Sequence, residues 1–249
     1  MNSNFTKILN ALEDQKDIFG DFLFEELKKT KIEYESENHD EIKVAEKIET
    51  KYGEGLLFEE YQSAETLEEL YEKIHTCQKC SLGKTRNKFV FGVGNPDADV
   101  MLIGEAPGAE EDKQGIPFVG RAGKLLTDIL KAINFSRDDV YIANILKCRP
   151  PNNRDPLPSE VETCMPYLYK QIELIKPKAI LCLGRVAATN LFGKKYTLTQ
   201  MRGNIYDVEG IKTMVTYHPA ALLRNPNWKR GCWEDVQKFR KLYDELAGK

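Results

Sequence analysis

No apolar run in this 249-residue chain approaches the ~20 residues that a membrane-crossing helix needs. Met1 to Thr30 has neither a basic leader nor the apolar core of a secretory signal. A cytoplasmic protein with no membrane partner is therefore expected. A C-x3-C-x2-C run is missing as well, which argues against radical or redox chemistry at an open iron. No internal repeat is visible. With 41% hydrophobic and 30% charged residues, the chain can hold one domain of respectable size, with or without an appendage.

What the chain does have is six cysteines, and a reducing compartment disfavours joining them as disulfides. Four fall into two pairs: Cys77 with Cys80 as C-x2-C, and Cys148 with Cys164 as C-x15-C. A two-residue gap lets both sulfurs of the first pair converge on one ion. The second pair flanks a proline-rich loop that could fold back and complete a four-thiolate site, for zinc or for an iron–sulfur cluster. Cys182, in the apolar run Ala179-Ile-Leu-Cys-Leu-Gly184, and Cys232, beside Trp233 in a helical pattern, read as core residues.

The net charge of −3 conceals an asymmetry. Residues 1–76 carry 9 basic against 20 acidic side chains, whereas residues 77–249 carry 27 against 19. The cysteine-bearing part is basic, which suits DNA or RNA, although a merely solvated basic surface fits the same count.

Two units are expected, an acidic, partly helical extension over residues 1–62 and a main domain over residues 63–249. In the extension Phe5, Ile8, Leu9 and Leu12, then Phe19, Phe22, Leu23 and Leu27, fall at helical spacing, and Lys31–Glu49 reads as a loose acidic linker. It could bind a protein partner or be a passive tail. Thr66 and Glu69 mark the capped start of a helix over Leu67–His75. From Asp99 onward short apolar runs alternate with helical patterns, the signature of an α/β domain with a mainly parallel sheet. Strands are expected at Val100–Gly104, Val140–Leu146, Ala179–Leu183 and in a pair turned at Glu209-Gly210. Helices are expected at Ala122–Ile133, Ser159–Ile175 with Ser159 and Glu162 as its capping box, Arg185–Phe192 and Trp228–Leu246.

In such a sheet ligands collect at the carboxyl ends of the strands, and three chemically loaded segments fall there. Gly104-Glu-Ala-Pro-Gly108 forces a tight turn that lets a ligand approach the backbone; the glycine-rich segment after it carries Phe118, either a core residue or a stacking platform for a flat base. Asn144 ends an apolar strand with an amide that can both donate and accept, as reading a pyrimidine edge requires; capping a local turn is the plainer role. His218, between Tyr217 and Pro219, could donate to a developing anion. Beyond it Leu223 and Arg224 pair an apolar wedge with a phosphate-binding cation, unless the segment simply starts a helix.

Taken together, residues 77–235 resemble the family 4 uracil-DNA glycosylases, the iron–sulfur branch of that superfamily. The resemblance joins the two cysteine pairs, Gly104-Glu-Ala-Pro-Gly108, Pro117-Phe-Val-Gly120, Asn144, Lys147-Cys-Arg-Pro-Pro151 and His218-Pro219 in the family's order. It implies a three-layer α/β sandwich with a central, mainly parallel four-stranded sheet, acting as a monomer on uracil-containing DNA. It implies a [4Fe-4S] cluster on Cys77, Cys80, Cys148 and Cys164, with a structural task. It also implies that Phe118 stacks on a flipped uracil, that Asn144 reads its polar edge, that the Glu105-Ala106 backbone helps to bind it, and that His218 faces O2. Ala106 stands where the best-known branch has a water-positioning aspartate, which leaves Glu105 as the candidate for that task. Gly108 stands where that branch has a thymine-excluding tyrosine, and Glu111 could occupy the space. The loop Arg149–Ser159 has no histidine, unlike that of a relative that captures DNA covalently, so turnover is expected. A non-catalytic, cluster-bearing DNA-binding or polymerase-associated module is the alternative.

Overall fold

The computed structural model describes residues 44–48 and 59–248; the helices expected between Phe5 and Leu27 lie outside the described residues. In chain order the elements are β1 (Val44–Ile48), α1 (Leu67–Ile74), β2 (Val93–Gly94), β3 (Val100–Gly104), α2 (Ala109–Gln114), α3 (Gly120–Ala132) and β4 (Val140–Asn144). There follow α4 (Pro158–Ile175), β5 (Ala179–Leu183), α5 (Arg185–Phe192), α6 (Leu198–Met201), β6 (Ile205–Val208), β7 (Ile211–Thr216), α7 (Pro219–Arg224) and α8 (Lys229–Leu246). Among the described residues no helix is long and apolar enough to cross a membrane.

The strands form one sheet in the order β1-β6-β7-β5-β3-β4-β2. Its centre, β7-β5-β3-β4, is the expected four-stranded parallel unit. Three short strands widen it: β6 runs antiparallel to β7 as the expected pair turned at Glu209-Gly210, whereas β2, antiparallel to β4, and β1, parallel outside β6 and within the stretch expected as a loose linker, go beyond the expectation. The residues of β3, β4 and β5 are all buried, as a strand covered on both faces must be. Successive side chains alternate between the faces. Met101, Ile103, Ala143, Ile180, Cys182 and Val215 pack with α1, α4 and α5. Val100, Leu102, Ile142, Leu181 and Met214 pack with α3 and α8. Each fully buried Leu, Ile or Met contributes about 1.5–3 kcal/mol of hydrophobic stabilisation, and the result is three layers.

Helix α1 begins as its sequence predicts, with the Glu69 N–H donating to the Thr66 hydroxyl at 3.1 Å. The start of α4 differs from expectation. The helix begins at Pro158, and the Leu157 N–H donates to the Glu160 carboxylate at 2.9 Å, so Ser159 and Glu162 are not its capping pair. Proline suits a first turn, whose N–H groups have no helical partner, and Arg154 anchors Glu160 there through two bonds of 2.9 and 2.6 Å. Strand β4 stops at Asn144, two residues earlier than its apolar run. Cys182 and Cys232 are core residues on opposite faces of the sheet.

Candidate active site and its cysteine-rich flank

Parallel pairing brings the carboxyl ends of the central strands to one edge, and Gly104 of β3 lies directly opposite Asn144 of β4. A Cβ on Gly104 would stand 2.4 Å from Asn144 Oδ1 and 2.5 Å from Phe118 Cζ. Only glycine lets the amide and the aromatic ring meet over the strand end. Asn144 is 2% exposed, and its Oδ1 has no hydrogen-bond partner among the described residues. A buried oxygen without a donor costs about 1–3 kcal/mol, so it marks a place where a donor belongs.

Phe118 is buried yet faces the same space. Its backbone is left-handed, with φ 51°, a conformation that bulky residues rarely adopt. Two features hold it there: Arg137 donates to the carbonyls of Pro117 and Phe118 at 3.0 and 3.1 Å, and Gly123 leaves room for the Phe118 carbonyl, which a Cβ would meet at 1.9 Å. The ring lies 5.4 Å from that of His218, tilted by 33°.

His218 caps α7, its Nδ1 accepting the Ala220 N–H at 3.2 Å. An accepting Nδ1 puts the proton of the neutral ring on Nε2. Burial, followed by the nearby Arg224 cation, pushes the imidazolium pKa down to about 4, so the ring is neutral at physiological pH. Gly184 backs it, its φ of 96° and missing side chain leaving space for His218 Cβ.

These groups surround a cavity of about 340 Å³. Glu105, Ala106, Gly108, Glu111, Phe118, Asn144, His218 and Arg224, all singled out in the sequence, line it together. Leu223 does not, and it is 37% exposed. Burial, then the Asp155 charge, raises the Glu105 carboxyl to about 7 against the opposing pull of Arg185. Glu111 accepts the Val119 N–H at 3.0 Å, and its other oxygen lies 2.6 Å from where a Cβ on Gly108 would be, so its carboxylate fills the space over that glycine. Sequence reasoning missed Asn153, Arg154 and Asp155, which reach the cavity from the proline-rich loop. Charged residues concentrated in a loop between two ligand-type cysteines were the available signal.

Beside the cavity Cys148 and Cys164 are buried, with Cys77 and Cys80 packed against the same cluster, and all four are free thiols. Three donors address their sulfurs: Arg86 to Cys148 at 3.4 Å, the Tyr167 hydroxyl to Cys77 at 3.3 Å and the Lys147 N–H to Cys164 at 3.4 Å. Burial raises the Cys148 thiol and pushes that of Cys164 up to about 12. Among the described residues no group of three or more Cys, His, Asp or Glu side chains is arranged, as it stands, to hold a metal ion.

Residues 91–246 match the sequence profile of the uracil DNA glycosylase superfamily. The chain belongs to that superfamily. Among its relatives, a type-4 uracil-DNA glycosylase from Archaeoglobus fulgidus is 48% identical over 193 residues, covering 74% of this chain and 95% of the relative. Another, from Thermotoga maritima, is 45% identical and covers 73% of this chain and 97% of the relative. A DNA polymerase of Bacillus phage SP01 is 31% identical over 154 residues, which is 17% of that protein. The matched residues thus span strands β2 to β7, the cavity and the second pair of cysteines.

Proposed function

We propose that this protein excises uracil from DNA, and the observation that carries the reading is the orphaned Oδ1 of Asn144 at the floor of a base-sized cavity. Cytosine presents no N–H at ring position 3, whereas uracil presents N3–H to an acceptor and O4 to the amide donor. The Phe118 ring supplies an aromatic face on which a flat base can stack, and Gly104 lets that ring sit directly above the amide. Reaching the cavity requires the nucleotide to leave the duplex, at a cost of a few kcal/mol; exposed Leu223 would fill the gap, and Arg224 would meet a phosphate.

Cleavage breaks the C1′–N1 bond and joins a water oxygen to C1′, while the electron pair leaves with the base as a uracil anion. The neutral His218 ring, with its Nε2–H opposite the capping bond, can donate to the developing charge at O2; removing one such donor typically costs 10²–10³ in rate. Glu105, in its ionised form, can orient the water or stabilise the sugar cation. Glu111 over Gly108 narrows the cavity where a 5-methyl group would enter.

Cys77, Cys80, Cys148 and Cys164 would hold a [4Fe-4S] cluster. Four thiols free of disulfides, three of whose sulfurs receive hydrogen-bond donors, fit such a group, and buried thiols become thiolates when a metal cation compensates them. When bound, the cluster supplies a clamp between the Cys77 segment and the Cys148 loop, while the base chemistry stays with the strand-end residues. The test is release of free uracil from a defined uracil-containing oligonucleotide by the pure protein, with iron and sulfide quantified in parallel. Tight binding without release would overturn the enzymatic reading.

A further inference from the structure

The residue before His218 belongs to a second aromatic assembly, none of whose members lines the base pocket. Tyr217 precedes His218, and its ring is stacked by Trp228 at 5.2 Å and 20°. The guanidinium of Arg202 lies 4.2 Å from the same Tyr217 ring and donates to its hydroxyl at 2.8 Å. Arg202 is in turn fixed by the buried Asp235 carboxylate at 2.6 and 3.2 Å and by the Gly231 carbonyl at 2.6 Å. Asp235 also accepts from Thr216 at the end of β7, at 2.8 Å.

The result is a tyrosine at the sheet end held by a guanidinium and stacked by an indole, with 42% of Trp228 exposed. A tryptophan that served packing alone would gain by turning inward, as Trp233 does at 9%. Its surroundings are cationic: Arg224 lies in α7, four residues back, and Lys229 and Arg230 open α8. Glu234 pairs with Arg230 at 3.3 Å, and Asp235 is engaged by Arg202. An exposed, rigid aromatic among cations, stacked on the residue that precedes the pocket histidine, is the pattern with which proteins hold a single nucleic acid strand.

We propose that Trp228 is a stacking platform for an unpaired base flanking the extruded nucleotide, a subsite distinct from the uracil pocket. It rests on the proposal that the protein acts on uracil in DNA. The Tyr217–Arg202–Asp235 assembly fixes the platform before the strand arrives, so little ordering entropy opposes the stack. Leu223 and Trp228 would then divide the work, the first filling the vacated space and the second retaining a neighbouring base.

The chain has two tryptophans, so Trp233→Phe leaves Trp228 as the sole indole. In that variant a single-stranded oligonucleotide with a central, cleavage-resistant 2′-fluorodeoxyuridine and flanks on both sides should quench the fluorescence, whereas the same nucleotide without flanks should not. In the otherwise native chain, Trp228→Ala should raise KM for flanked single-stranded substrate roughly tenfold with kcat little changed, and Trp228→Phe should recover most of the loss, in line with the ~1–3 kcal/mol of a base–aromatic stack. Unquenched Trp228 at saturating oligonucleotide, or an unchanged KM in Trp228→Ala, would overturn the platform while leaving uracil release intact. Absence of uracil release by the native chain would instead remove the reading on which the platform rests.

Discussion

The buried ammonium of Lys147 donates to the backbone carbonyl of Asn144 at 2.9 Å. It also donates to the Gln171 side chain at 2.5 Å, while the Lys147 N–H reaches the Cys164 sulfur at 3.4 Å. One residue thus joins the cysteine flank, through its backbone, to the strand end that offers the unpaired amide oxygen, through its side chain. Replacing it by methionine leaves the Asn144 carbonyl and the Gln171 oxygen without this donor, at about 1–3 kcal/mol. Lys147→Met should lower Tm by several degrees and uracil release by tenfold or more. Thermal unfolding and single-turnover kinetics check this, and unaltered kinetics would show that the tie has no bearing on the site.

Asn144→Ala should reduce kcat/KM for uracil-containing DNA by about 10²–10³. The lost amide belongs to a buried residue whose oxygen has no other donor among the described residues, so no neighbour stands in for it. The visible absorbance of the proposed cluster should persist, because the amide carries no load in the cysteine flank. An equal loss of absorbance would mean that the residue holds the fold together instead.

Glu105 predicts a pH profile. With its carboxyl raised to about 7, a step that needs the carboxylate should speed up tenfold per unit as pH rises toward 7, then level off. His218, already neutral above about 4, adds no limb between pH 5 and 8. Glu105→Gln should flatten the profile at a lower rate. Stability runs the other way: a folded-state value above the unfolded one means that the native protein loses stability as pH rises from about 4.5 through 7. Glu105→Gln should therefore have a higher Tm than the native chain at pH 8 and a similar one at pH 4.5.

Cys77→Ala and Cys164→Ala should each abolish iron and sulfide incorporation and lower Tm sharply. Cys182→Ala, on a core strand away from the other sulfurs, should retain a full complement. Iron and sulfide assays on freshly purified protein decide between these outcomes, and zinc in place of iron would replace the cluster with a mononuclear site.

The central strands were legible because they are short, apolar runs, and strands covered on both faces can be little else. The site was legible for the opposite reason: Asn144 and His218 interrupt or end those runs with groups that a core would reject. Strands β1 and β2 were not, since a sheet edge is satisfied by almost any extended segment; Val93–Gly94 has two exposed residues and no pattern to read. Arg137 was also hidden, because its bonds to Pro117 and Phe118 span about twenty residues of sequence and leave no local period. The start of α4 departs from the local pattern because Ser159 and Glu162 are good caps in isolation, whereas Arg154 fixes Glu160 in that turn.

Phe118 has a left-handed backbone, clamped by Arg137 and accommodated by Gly123. That conformation is unfavourable for a phenylalanine, and the expense is met when the protein folds rather than when DNA arrives. A base entering the cavity finds its upper wall already in place. The slow event in a productive encounter should then be the nucleotide leaving its own helix, and substrates whose uracil is mispaired or unpaired should be consumed faster without any change in the enzyme's shape.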